Sequence, residues 1–93
     1  MNTIERVRMS EPGSTCEHIT YVRFRPAGGG TTRFASREQV HAWIQQGRSF
    51  RTEHPVTGAS AQVDARVSPA GTRYIATVAN GRETDNLLTL PYF

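Results

Sequence analysis

The sequence predicts an α+β domain: a largely antiparallel sheet of about five short strands with one helix packed on one face. Three observations predict it. Turn signals punctuate the chain roughly every eight to twelve residues, a rhythm of short strands. Only the stretch after Ser36 carries both a start and a stop signal for a helix. Asn80-Gly81, after the strand-like RYIATVA, is the strongest two-residue hairpin signal in the chain.

The elements follow in order. Residues 3–9 (TIERVRM) alternate as a strand does, and Pro12 and Gly13 supply a connection. Residues 16–25 (CEHITYVRFR) read as the longest strand, PAGGG turns the chain, and residues 31–35 return as a third strand. The helix is expected over roughly residues 37–46. Ser36 and Gln39 have capping-box spacing, Val40, Trp43 and Ile44 share one face, and Gly47 sits where a C-terminal cap belongs. Beyond it come residues 49–53, a turn-rich HPVTGAS, and strands over residues 61–67 and 73–79 joined by SPAGT. Asn80-Gly81 then reverses the chain, since a type I′ turn needs positive φ at both positions.

Ninety-three residues fit a single domain, spanning 1–93, with one economical core. Cys16 is the only cysteine, so no internal disulfide staples the fold. No apolar run is long enough to span a bilayer, and the first ten residues carry charge where a signal peptide needs an apolar stretch. The expected setting is the cytoplasm, without a membrane. All eleven basic residues are arginine, which pairs with carboxylate and phosphate in a planar fork and stacks on rings. The net charge of +3 is too small to identify a nucleic-acid binder by itself.

Centring the second hairpin on its glycines sets Phe24 opposite Phe34 and Arg25 opposite Arg33. One face then carries His18, Thr20, Val22, Phe24 and Phe34 toward the helix. The other carries Tyr21, Arg23, Arg25 and Arg33, with Arg6 and Arg8 beside them, a candidate surface for stacking bases and contacting phosphates. Like charges opposed across a ladder are unfavourable unless the side chains splay or an anion bridges them. The competing reading is a solvated face balanced by Glu5, Glu17 and other acids.

Other constellations carry less. PAGGGTTR lacks the lysine of a phosphate loop. Cys16 and His18, two apart on the expected strand, would share a side, leaving a small ligand or hydrolase site near His18 as a minor alternative. The histidines and Cys16 have no zinc-ligand spacing, and no acid pair is visible, so neither metal, cofactor nor catalytic residue is assigned.

Four motifs, HIT (18–20), WIQQG (43–47), GTRYIAT (71–77) and DNLLTLP (85–91), resemble in order and spacing the small bacterial and phage proteins of the domain of unknown function 3892 family. The motif residues are His18, Trp43, Gly47, Tyr74, Asp85, Asn86, Leu87, Leu88, Leu90 and Pro91. Arg73 departs from the lysine common there, and Tyr92 and Phe93 add an aromatic tail. The resemblance implies a small stand-alone bacterial or phage domain and no activity. By its chemistry, the last motif is a closing flap: Thr84 or Asp85 would accept amide hydrogen bonds, Asn86 would hold backbone, Leu87, Leu88 and Leu90 would enter the core, and Pro91 would stop any helix. The leading expectation is a non-enzymatic binding or accessory domain working through protein contacts as a monomer or homodimer. Charge-driven nucleic-acid binding is the alternative.

Overall fold

The computed structural model describes residues 1–10 and 15–93, without the Glu17 side chain. The expected connection at Pro12 and Gly13 lies outside the described residues. The strands are β1 (Asn2–Met9), β2 (Ile19–Arg25), β3 (Arg33–Ser36), β4 (Phe50–Glu53), β5 (Ser60–Val67), β6 (Arg73–Ala79) and β7 (Arg82–Thr84), and the helix is α1 (Arg37–Gln45). They form one seven-stranded sheet in the order β3-β2-β1-β4-β5-β6-β7. The domain is α+β, as the sequence predicts, but the sheet is mixed and larger than about five antiparallel strands. The two additions are four- and three-residue strands, and β4 runs parallel to β1.

That parallel pair follows from α1, which carries the chain from the β3 edge back across the sheet to β4. The helix ends behave as the residues dictate. Ser36 Oγ accepts from Gln39 N at 3.1 Å while Gln39 Oε1 accepts from Ser36 N at 3.0 Å. At the other end Gly47, at φ 93°, lets its own amide reach the Ile44 carbonyl and the Arg48 amide reach that of Trp43, each at 3.0 Å. Asn80 (φ 54°) and Gly81 (φ 75°) make the expected turn between β6 and β7.

Two bulges set which side chains face where. Ile4 pairs with Phe24 and Arg6 with Arg23, so Glu5 is an extra residue on β1; Thr20 is the extra residue on β2. The core faces α1, where Trp43 lies edge-on to Phe24 and stacks on Phe50 at 6.1 Å between ring centroids. Ile4, Val7, Ile19, Val22, Val40, Ile75 and Leu87 are fully buried within the same cluster.

The segment 91–93 adds a further piece to the sheet. Beyond Ile4, where the β4 pairing ends, Val7 pairs in parallel with Tyr92: the Val7 amide donates to the Pro91 oxygen at 3.1 Å and the Phe93 amide to Val7 at 3.2 Å. One side of β1 is thus served by two different segments. Among the described residues no helix is long and apolar enough to cross a membrane.

Candidate functional site

The register between β2 and β3 differs from the sequence expectation by one residue. Arg33 lies opposite Phe24 and Phe34 opposite Arg23, so Phe24 does not face Phe34 and Arg25 does not face Arg33. The physical reason is on the core side. Ala35, opposite Val22, is buried there at 2% exposure, while Phe34 turns to the face away from the helix and stays 62% exposed. Arg33 consequently leaves the arginine face and goes to the Phe24 side of the edge strand.

The remaining arginines gather as expected, with a different opposed pair. Arg6 of β1 sits directly across from Arg23 of β2, and Arg8 across from Tyr21. Arg25 belongs to the same face but is neutralised: Glu53 Oε2 lies 2.9 Å from its Nη2, and Glu5, turned outward by the bulge, lies 3.5 Å from its Nε. Arg51 enters the neighbourhood from β4, its Nε donating to Thr3 Oγ1 at 3.3 Å. Glu5 and Glu53, the two described carboxylates on this part of the sheet, therefore converge on one arginine.

The other arginines hold aromatic rings instead of acids. The Arg23 guanidinium lies over the Phe34 ring at 5.9 Å, and its Nε donates to Thr32 Oγ1 at 3.2 Å. The Arg8 guanidinium lies over the Phe93 ring at 4.7 Å and donates to the Phe93 main-chain oxygen at 3.2 Å. The Phe93 ring in turn packs against Phe34 at 5.2 Å. Arg6 makes no hydrogen bond or ion pair among the described residues. The result is a basic, ring-bearing surface across β1, β2 and β3, with Tyr21 46% exposed at its end. Sequence reasoning missed Phe34 and Phe93 as members of it. Phe34 arrives through the β2–β3 register, which its glycine-rich loop does not fix, and Phe93 through the long-range pairing of its segment with Val7, which no local pattern announces.

The His18 region is built differently from the expected strand. Cys16–His18 is a 3-10 helix, so Cys16 and His18 do not alternate along a ladder, and Cys16 is buried in the core. His18 Nδ1 accepts from the Thr15 amide at 3.3 Å, closing that turn. His41 is buried with Nε2 3.1 Å from the Arg66 carbonyl oxygen, and His54 Nδ1 accepts from the Val56 amide at 3.1 Å. No group of three metal-ligating side chains occurs among the described residues. A cleft of about 320 Å³ beside the helix end is lined by Gly47, Ser49, Phe50 and Asp64 among others; no hydrogen bond joins the Ser49 and Asp64 side chains among the described residues, and Asp64 Oδ2 lies 3.8 Å from Arg66 Nε.

The last motif folds back as a turn. Leu87 (0% exposed) and Leu90 (3%) enter the core and Leu88 packs against it. Asn86 Oδ1 accepts from Thr84 Oγ1 at 2.7 Å, and Thr77 Oγ1 donates to the Thr84 carbonyl at 2.9 Å. Asp85, exposed, supplies its main-chain oxygen to the Thr89 amide at 3.0 Å. The capping expected of the Asp85 side chain is not formed among the described residues; Thr84 and Asn86 hold the turn. Tyr74 is buried and its hydroxyl donates to Glu83 Oε2 at 2.6 Å. Trp43 and Gly47 belong to the helix and its cap, and Pro91 gives its oxygen to β1.

These features define a small α+β domain with an arginine- and ring-bearing sheet face and a leucine flap closing the core. The chain belongs to the family described as protein of unknown function (DUF3892), which matches residues 3–91. No curated protein and no solved structure matches it.

Proposed function

We propose that this is a non-catalytic binding domain whose partner, an anionic macromolecule, docks on the outer face of β1, β2 and β3. The observation that carries the reading is Arg6 directly opposite Arg23. Two cations facing each other across a ladder cost from a few tenths to about 1 kcal/mol, relieved when an anion bridges them. Arg23 is splayed in part toward Phe34 and Thr32, and Glu5 and Glu53 already face Arg25, so an anion that bridges the pair would come from outside. This reverses the order suggested by the sequence alone, where protein contacts led.

Retention on immobilised heparin over a salt gradient tests the reading. An Arg6→Gln/Arg23→Gln protein is expected to elute at clearly lower salt, and Arg25→Gln, whose charge is already met, to elute nearly with the parent. Equal elution of parent and double variant would sink it. Protein contacts stand as a second reading, favoured by β3 and β7, which lie at the two edges of the sheet and present backbone groups to a partner strand. The setting we infer is the cytoplasm of a bacterium or of a phage-infected cell, supported by the motifs shared with the family and by a sequence unable to form an internal disulfide. A ligand or hydrolase site at His18 gains no support from its place in a turn.

A further inference from the structure

We infer that the anionic partner is a single-stranded nucleic acid, its phosphates held by Arg6, Arg8 and Arg23 and its bases stacked on Tyr21 and Phe34. This rests on the reading above and goes further, because it assigns the rings a task. A site for bare negative charge needs no exposed ring. Here Phe34 keeps 62% of its surface in water and Tyr21 46%, on the same face as the arginines.

The geometry fits a strand of unpaired bases better than a duplex. Tyr21 and Phe34 are diagonal neighbours across β2 and β3, since Tyr21 pairs with Ser36 and Phe34 with Arg23. Such neighbours stand roughly 7–8 Å apart, and a base on Phe34 would take the part of that ring that Arg23 and Phe93 leave in water. A duplex keeps its base faces stacked inside and would meet only the arginines. Arg23 and Arg8 lie against Phe34 and Phe93, so their planar forks are held beside the rings rather than free to roam. Stacking is tolerant of base identity, because every base has a π-face.

The sugar is not read by the same logic. Thr20 Oγ1 donates its hydrogen to the Arg8 carbonyl, Thr32 Oγ1 accepts from Arg23 Nε and Glu5 faces Arg25, while the arginines and rings assigned here contact phosphate and base rather than sugar. Deoxyribose and ribose strands are therefore expected to bind alike.

The test is fluorescence anisotropy of the intact protein with a labelled oligodeoxythymidylate, an oligouridylate, and a mixed-sequence DNA strand alone and annealed to its complement. Both homopolymers and the lone strand are expected to bind at least about tenfold tighter than the duplex. Phe34→Ala and Tyr21→Ala should each weaken strand binding about tenfold, within the range measured for loss of one base–ring stack, and shift heparin elution far less than Arg6→Gln/Arg23→Gln does. Arg6→Gln/Arg23→Gln should lower the salt slope by about 0.7 per arginine. Equal affinity for strand and duplex, with no effect of removing either ring, would overturn the inference and leave a plain polyanion site. Failure to bind any polyanion, heparin included, would overturn the underlying reading too, in favour of a protein partner. Thermal melts of the four proteins confirm that each is folded.

Discussion

Replacing Leu87 by alanine tests whether the DNLLTLP segment is part of the fold or a displayed peptide. Leu87 is completely buried, and it shares its cluster with Ile75, Val7 and Leu90. Truncating such a leucine removes the transfer free energy of the lost carbons and leaves a cavity, together about 3–4 kcal/mol. A domain of this length is stabilised by roughly 5–14 kcal/mol in all, so the substitution consumes about a fifth of it or more. At about 4–8 °C per kcal/mol, the melting temperature should fall by roughly 12–30 °C. Thermal unfolding followed by circular dichroism reads this directly. Two companions sharpen the result. Leu88→Ala, half-buried, should cost roughly half as much, and Asp85→Ala should shift the midpoint by less than about 2 °C, because that side chain is exposed. A Leu87→Ala protein melting within a few degrees of the parent would refute the buried-flap assignment.

Two further outcomes probe single atoms of the fold. Thr52 is fully buried and its hydroxyl has no hydrogen-bond partner among the described residues, so Thr52→Val should raise stability by about 1 kcal/mol in urea unfolding by removing that unmet group. Gly47→Ala should lower stability by about 1 kcal/mol with an unchanged denaturant slope. Nothing lies within 4 Å of the added carbon, and the cost comes only from holding alanine at φ 93°.

What the sequence disclosed, and what it withheld, divides along the range of the interactions. The helix and its two caps are written in neighbouring residues, Ser36 with Gln39 and Gly47 after Ile44, and the Asn80-Gly81 turn is equally local. The burial of Leu87 and Leu90 is legible from apolarity alone. The β1–β4 pairing joins residues separated by the whole helical crossover, and no local pattern announces it. The β2–β3 register failed for a different reason. Seven residues rich in glycine separate the strands, and such a loop closes in more than one register; packing of Ala35 under the helix decides between them. That one-residue slip exchanged Phe34 and Arg33 between faces and with them the composition of the candidate site. Arg6, Arg8, Tyr21 and Arg23 survived the slip because they lie on β1 and β2, whose bulges left them together.

The pairing of β1 with residues 91–93 also bears on how the chain reaches this state. Arg8 and Phe93 lie 85 positions apart in sequence, yet they meet beside the middle of the sheet. The β1–β2, β5–β6 and β6–β7 ladders join sequence neighbours and close short loops, whereas the Val7–Tyr92 bridge must close nearly the whole chain before it returns any free energy. The hairpins are thus expected to assemble first and the 91–93 segment to dock after the rate-limiting step. Its hydrogen bonds then act as a brake on opening: weakening them should quicken unfolding while leaving the refolding rate where it was.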